Sequence, residues 1–519
     1  MNDKPYVLSI DNGTQSIRAL AYDRHGEQID KAYIPIEAYT SPEPAWAEQS
    51  AEYFWQKLCE ACQCLWQQGK VKPEQIAALS VTTQRGTVIN LDKNGEPLRP
   101  AIIWLDQREA PESVSLGWMD WPLKLLGLKS NIDYFTKQAE ANWIHQVQPE
   151  LWQKTHKFLL LSGYHHYRFS GKYIDSVASQ VAYIPFDYKQ QQWAKDSSWH
   201  WRALPLKADM LPELVPAGEV MAEVNEQAAG ETGLPAGLPI VASGSDKACE
   251  LLGAGAVEEH IGCLSYGTTA TYNGNFSRYI ESAPMIPPYP AATPGRYNTE
   301  AMVYRGYWMV SWFKEQMAME EKLQAKEQGV AVETLFDELL KKVPAGSMGL
   351  TLQPYWSPGI KNPGPGAKGA IIGFGDVHTK AHIYRAIIEG LCFALREGKE
   401  RVEKRSGQKI SRLRISGGGS QSDQIMQISA DIFGMAVERP ATYETSGLGA
   451  AINSAVAMNW YPDHKAAAQN MSRVGQTFEP IEANVDVYEQ MYRQVYLKMY
   501  SALSPLYQSI RKIVNYPSL

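Results

Sequence analysis

The sequence has no long run of Lys and Arg, and its 50 basic residues are outnumbered by 56 acidic ones, a net charge of −6. That balance offers no basic footprint for a nucleic-acid backbone, which excludes nucleic acid as a partner. No uninterrupted apolar stretch approaches the ~18 residues of a membrane-spanning helix. The only N-terminal candidate for a signal-peptide core is cut short by Asp11. These absences predict a cytoplasmic protein with no membrane partner. Cysteine is scarce too: six in 519 residues are too few for a disulfide framework. Cys59, Cys62 and Cys64 are clustered, but no second ligand pair follows, and Phe54, Leu58, Cys62 and Leu65 recur at helical spacing. They read as buried apolar side chains. His165 and His166 have no carboxylate or third histidine at metal-ligand spacing, so no metal site is read there.

What is present is the material of an ordinary globular protein, 44% apolar and 20% charged, in a chain too long for one core. Strand-like and helix-like segments alternate, which predicts α/β layers. IAALSVTTQRGTVINLD (76–92) reads as strand, polar break, strand, and ELWQKTHKFLLLSGYHHYRFSG (150–171) as a helix stopped by Gly171. In the stretch 379–407, Ile383, Ile387, Leu391 and Leu395 recur every four residues, a long amphipathic helix ended by Gly407. Gly390 inside it costs about 1 kcal/mol of helix propensity and predicts close packing against a neighbour.

Three turns stand out. YVLSIDNGTQSIRALAYD (6–23) is a strand that stops at Asp11-Asn12-Gly13-Thr14 and resumes as a second strand. Asn-Gly between apolar runs is a hairpin signal, since both residues tolerate positive φ. The same turn presents backbone N–H groups and the Thr14 hydroxyl to a phosphate, with Asp11 at the strand end suited to hold a phosphate-bound magnesium. CLSYGTTATYNG (263–274) repeats the arrangement, and RLRISGGGSQSDQIMQISADIFG (412–434) places a triple glycine between a strand and a helix. A glycine turn there lets a ligand approach the backbone closely. LPIVASGSDKACELLGAGA (238–256) is a strand running into Asp246, which reads equally as a general base or as the N-cap of the following helix. Each half thus opens with a strand-turn-strand followed by helices, and two similar domains facing a cleft is the simplest arrangement.

These stretches, together with LRPAIIWLDQR (98–108), AHIYRAIIEGLCFALREG (381–398) and LGAAINSAVA (448–457), resemble in order the FGGY family of carbohydrate kinases, which includes glycerol kinase and xylulokinase. The resemblance implies an α/β fold of two actin-like (ribonuclease H-like) ATPase domains flanking a central cleft, divided here as 1–253 and 254–519. It implies ATP-dependent phosphorylation of a hydroxyl of a small sugar or polyol, and, since dimers are common among relatives, a homodimer. Residue by residue, Asp11 matches the aspartate that positions Mg2+. Gly13, Thr14 and Gln15 match the first phosphate loop, with Arg18 near the phosphates, and Gly267 and Thr268 match the second. Gly418 and Gly419 match the turn beside adenosine, with Asp423 near the nucleotide, and Asp246 matches the catalytic base. A nucleotide-binding regulator or chaperone-like ATPase on the same fold is the competing reading.

The acceptor region departs from the family pattern. Gln84 and Arg85 match, but Gly86 stands where glycerol kinases carry a glutamate, which makes glycerol a doubtful substrate. The Met-His pair of xylulokinases is missing too. Trp104 matches the tryptophan that walls the acceptor site. Lys247 replaces a glutamine or asparagine beside the base, where it pairs with Asp246, reaches an acceptor oxygen or swings to solvent. Tyr304, Tyr307 and Trp308 are either core aromatics or stacking surfaces for a sugar face. The open pocket and added cation favour a four- to six-carbon polyol, ketose or sugar acid.

Overall fold

A computed structural model of the chain describes residues 4–514, apart from 126, 358–362 and 365. Two mixed sheets dominate it. The first has six strands in the order Val220–Glu223, Pro239–Val241, Ile76–Thr83, Tyr6–Asn12, Ser16–Asp23 and Gln28–Pro35. The second has seven, in the order Tyr289–Pro290, Tyr297–Val303, Ala270–Phe276, Ile261–Tyr266, Arg412–Ser416, Val437–Pro440 and Val474–Phe478. In both, a hairpin lies beside a parallel strand that enters from later in the chain: Tyr6–Asn12 pairs with Ile76–Thr83, and Ile261–Tyr266 with Arg412–Ser416. Parallel neighbours need long crossovers, and the intervening residues supply them as helices.

Each sheet has its own apolar core. Leu8, Ile10, Ile17, Phe54, Leu58 and Leu79 belong to the first, and Leu264, Tyr272, Ile387, Leu391, Leu413 and Ile428 to the second. Cys59 and Cys62 are buried in helix Ala51–Gln68 on the face carrying Phe54, Leu58 and Leu65, as their spacing predicts. The long helix is Lys380–Ser406, closed by Gly407 at φ 72°. A Cβ on Gly390 would stand 2.4 Å from the Leu352 carbonyl oxygen, so the glycine is where a neighbouring strand presses on the helix.

The stretch 150–171 differs from its sequence reading. It is helix Pro149–Lys154, strand Lys157–Leu160 and helix Leu161–Ser170. Lys157–Leu160 pairs antiparallel with Val88–Leu91 in a four-stranded sheet of a lobe on the first domain. A short apolar run buried on both faces carries no periodicity, so KFLL looks helical until a partner strand claims its backbone. That lobe has its own core, with Val88, Ile132, Trp143, Phe158 and Leu160.

The two sheets are joined by two crossing helices. Asp246–Gly253 follows the first sheet, and Thr445–Ala457 returns from the second half of the chain. Their backbones touch at glycines: a Cβ on Gly253 would lie 1.9 Å from the Thr445 carbonyl oxygen, and one on Gly449 would lie 1.9 Å from that of Cys249. Leu448, Ala451 and Ile452 bury against Val7, Leu20 and Tyr22 of the first sheet and against Leu252. Ser80 Oγ donates to the Ala450 carbonyl at 2.9 Å.

Candidate active site

The strand register explains the first cluster. Asp11 and Arg18 are directly opposed in the hairpin, and Arg18 Nη1 donates to Asp11 Oδ2 at 2.9 Å and to Glu444 Oε2 at 3.1 Å. Lys31 Nζ completes the chain of charges at 2.9 Å from Glu444 Oε1. Asp11 is only 4% exposed. Burial raises its carboxyl from 3.8 to about 6; Arg18 opposes the rise, while Glu444, Asp246 and Glu250 add to it. Glu444 is the N-cap of helix Thr445–Ala457, whose Ser446 Oγ donates to the Asp246 carbonyl at 3.2 Å, so the helix brings the Asp246 backbone next to this cluster. His165 Nε2 lies 2.9 Å from Asn12 Oδ1 behind the turn, and His166 Nδ1 lies 3.1 Å from Asp175 Oδ1.

The turns suit an anionic ligand. At Gly13 and Gly267 an added Cβ would meet only a carbonyl oxygen, at 3.6 and 3.5 Å, and at Gly418 it would meet nothing within 4 Å. Packing does not demand glycine at these places, and their open faces leave room for a ligand to reach the backbone. Gly417 and Gly419 serve a different purpose. Gly417 has φ +86° and a Cβ there would stand 2.8 Å from the Tyr266 backbone, whereas one on Gly419 would stand 2.3 Å from the Tyr307 ring. Tyr307 is buried and stacks on Tyr266 at 4.6 Å, so it is a floor beneath the triple glycine and not a sugar platform. Trp308 likewise packs against the second core, while Tyr304 borders the acceptor cavity. Tyr307 N–H and Trp308 N–H hold the carbonyls of Gly267 and Thr268, fixing the second loop. Gln15 is exposed and its carbonyl accepts from the Ile36 N–H. Asp423 begins the helix Asp423–Phe433 and accepts from Arg439 Nη2 at 2.7 Å.

Ser245, not Asp246, caps the helix that follows: its side chain accepts from the Ala248 N–H. Asp246 occupies the first turn, its Oδ1 held by the Lys247 N–H at 2.7 Å. Burial raises the Asp246 carboxyl, against the pull of Lys247 and Arg85. A carboxylate freed from capping, and made more basic by burial, is chemically suited to accept a proton.

Lys247 points elsewhere. Its ammonium donates to Glu250 Oε2 at 2.7 Å and to Ser265 Oγ at 2.5 Å, and Ser416 Oγ donates to the other oxygen of Glu250 at 2.5 Å. Burial opposes its charge, but Glu250 and Asp246 outweigh it and raise the ammonium. None of the three sequence readings of Lys247 anticipates this pair, although Glu250 lies one helical turn away, at the spacing where partners meet.

On the acceptor side, Gln84 is 3% exposed and its backbone N–H donates to the Asn12 carbonyl at 3.0 Å. Its side-chain amide has no hydrogen-bond partner among the described residues, a buried group with donors and an acceptor to offer. Arg85 forms a two-bond fork with Glu300, at 3.1 Å for each bond, and lies over the Tyr289 ring at 4.9 Å. Gly86 adopts φ +65°, a left-handed conformation that favours glycine. Trp104 Nε1 donates to Thr14 Oγ1 at 3.0 Å, so a residue of the cavity wall is tied directly to the turn of the first hairpin. Glu300 was not singled out in the sequence. Its signal is a carboxylate in the middle of the strand Tyr297–Val303, where it is 8% exposed.

Comparison with known proteins agrees with this geometry. Residues 6–253 match the N-terminal domain, and residues 262–458 the C-terminal domain, of the FGGY family of carbohydrate kinases. The chain belongs to that family: it is a carbohydrate kinase, a phosphotransferase with the two-domain actin-like fold. Among its relatives, the uncharacterized sugar kinase YgcE of Escherichia coli is 29% identical over 500 residues, 95% of this chain and 93% of that protein. The xylulose kinase of Staphylococcus epidermidis is 26% identical over 518 residues, 99% of this chain and all of its own. Solved structures described as a ligand-bound xylulose kinase and a gluconate kinase, both from Lactobacillus acidophilus, superpose with a TM-score of 0.82 at 20% identity, covering 97% of this chain and 99% of theirs. No helix among the described residues is long and apolar enough to cross a membrane.

Proposed function

We propose that the protein transfers the terminal phosphoryl group of ATP to a hydroxyl of a small sugar, polyol or sugar acid, with Asp246 as general base. The observation that carries this reading is the chain of contacts linking the two carboxylates: Asp11 pairs with Arg18, Arg18 with Glu444 at the N-cap of helix Thr445–Ala457, and Ser446 Oγ of that helix donates to the Asp246 carbonyl. Phosphoryl transfer asks for alignment and charge stabilisation more than covalent chemistry. In this reading Gly13, Thr14, Gln15 and Arg18 hold phosphates from one side, and Gly267 and Thr268 from the other. Gly418 and Gly419 receive the adenosine, with Asp423 at its edge. The donor set at Asp11 fits magnesium, which takes one or two carboxylates plus phosphate oxygens and water. When bound there, the ion neutralises charge on the phosphates. Gln84, Arg85 and Trp104 orient the acceptor, and Lys247 acts through Glu250 and Ser265 to steady the second loop instead of touching the acceptor.

Asp246 takes the proton from the attacking hydroxyl as the O–P bond forms. Replacing it by Asn keeps the shape and removes the proton acceptor. Asp246→Asn is expected to lower kcat about 10²–10⁴-fold, with KM for ATP little changed, in an ADP-release assay with polyols, ketoses and sugar acids. Undiminished turnover removes Asp246 from the role of base. ATP binding with no acceptor-stimulated turnover in the unaltered protein would instead favour the regulatory or chaperone-like reading.

A further inference from the structure

Behind the turn of the first hairpin lies a buried histidine that no step of the proposed reaction uses. His165 sits in helix Leu161–Ser170, is fully buried, and packs beside the Trp55 ring with centroids 6.3 Å apart. Its Nε2 lies 2.9 Å from Asn12 Oδ1, and Asn12 Nδ2 donates to the Gly13 carbonyl at 3.1 Å. Asn12, the last residue of strand Tyr6–Asn12, is fully buried as well. Because the amide nitrogen of Asn12 is engaged by Gly13, the atom turned to His165 is an acceptor, so Nε2 carries the hydrogen and donates it. Burial pushes the imidazole down to about 3, with His166 and Arg168 adding to the effect, so the ring is neutral. Its other nitrogen, Nδ1, is then a bare acceptor, and among the described residues it has no hydrogen-bond partner.

Packing alone does not account for that bare nitrogen. A phenylalanine would fill the space beside Trp55 without burying an unsatisfied polar atom. What the imidazole supplies is a donor for Asn12, and what Asn12 supplies is a donor for Gly13. The Gly13 carbonyl belongs to a turn read as meeting phosphate, and a carbonyl oxygen free to swing toward an anion repels it. Tied to Asn12, it is held from doing so, and the Gly13 N–H is tied too, to the Ser16 carbonyl at 3.1 Å. The helix that carries His165 is fastened in turn. Leu161 N–H donates to the Thr87 carbonyl at 3.0 Å, and His166 Nδ1 lies 3.1 Å from Asp175 Oδ1. The other oxygen of Asp175 accepts from Ser162 Oγ and Gln180 Nε2, each at 2.8 Å. His165 therefore meets Asn12 from a fixed support.

We infer that His165 is a positioning residue for the kinase reaction: through Asn12 it holds the Gly13 carbonyl and so fixes the first turn in the shape that receives phosphate. It touches neither substrate nor reacting atom and acts only through Asn12. This rests on the kinase reading of the same turn and adds to it a residue 153 positions away from Asn12 in the chain.

The test is calorimetric titration of the full chain with Mg2+ and the non-hydrolysable ATP analogue AMP-PNP, which needs no acceptor. His165→Phe keeps a ring in place and removes the donor. It is expected to raise the dissociation constant about threefold to tenfold, the loss of one buried hydrogen bond. His165→Gln, which offers an N–H again, is expected to recover most of the affinity. An unchanged constant in His165→Phe, or equal losses in the two variants, overturns the inference while leaving the kinase reading intact. Absence of AMP-PNP binding to the unaltered protein overturns both. Since His165→Phe also leaves Asn12 Oδ1 buried without a donor, the double variant Asn12→Leu/His165→Phe removes both polar groups. Its melting temperature is expected to return toward that of the unaltered protein while the affinity stays low, because nothing then holds the Gly13 carbonyl. Affinity that recovers together with the melting temperature means that the pair serves stability alone, and overturns the positioning role.

Discussion

The strand-turn-strand at residues 6–23 and the one at 261–276 share a backbone plan and carry opposite electrostatics. Both are antiparallel hairpins whose first strand also pairs with a parallel neighbour. In the first, the strand approaches its glycine turn through Asp11, a buried carboxylate opposed by Arg18. In the second, the residue at the corresponding place, two before the glycine, is Ser265, and no acid stands in the turn. Charge reaches the second hairpin only through helix Asp246–Gly253, as a Lys247–Glu250 pair held by Ser265 and Ser416. One backbone motif, used twice, is thus divided by single side chains into a turn that carries a buried, paired carboxylate and a turn that carries none.

The largest expected effect strikes the second hairpin. Lys247→Met removes the cation from Glu250 and leaves a buried carboxylate unpaired, which is expected to destabilise the protein by about 3–5 kcal/mol in urea unfolding. A variant as stable as the unaltered protein means that the pair does not hold the second loop.

Asp11→Ser makes the first strand end like the second. It is expected to lower kcat about 10²–10³-fold, the loss typical of removing one charge-stabilising group. Its stability changes in the other sense. The folded carboxyl titrates near 6 against 3.8 when unperturbed, so between these values the unfolded chain binds fewer protons and stability falls as pH rises. Relative to the unaltered protein, the variant is expected to gain up to about 3 kcal/mol between about pH 4 and pH 7. Unfolding curves across that range check the sign, and a constant difference removes Asp11 as the titrating group.

The smallest contrast separates glycines that packing demands from those that packing leaves open. Gly449→Ala forces a Cβ to within 1.9 Å of the Cys249 carbonyl oxygen and is expected to cost about 1–3 kcal/mol. Gly267→Ala meets only the Thr269 carbonyl at 3.5 Å, so stability is expected to stay within about 0.5 kcal/mol while KM for ATP rises. Thermal melts and ATP titrations of the two proteins distinguish them. Equal melts with equal ATP affinity erase the distinction.

The elements legible in advance are those whose cause is local. Asn12-Gly13 announces a hairpin, Gly407 ends a helix, and Gly390 marks a close approach, because each reports the conformational freedom of one residue. Asp11 was legible as an acid at a strand end, whereas Asp246, read as the end of a strand, begins the helix after it. The strand Lys157–Leu160 was not, since an apolar run without periodicity takes its conformation from its partner. Tyr307 shows the same limit: only the triple glycine pressed onto its ring makes it a floor.

The alternation of apolar residues and the glycine turns were enough to determine two matching αβ halves, because these follow from backbone preference along one segment, and the order of the motifs carried the resemblance to the kinase family. Which charges meet was decided by the tertiary structure alone. Arg85 and Glu300 are 215 residues apart, and Arg18 and Glu444 are 426 apart. No local propensity encodes such pairs. They exist because burial in a shared cleft makes an unpartnered charge too costly, and the fold brings each one its counterion.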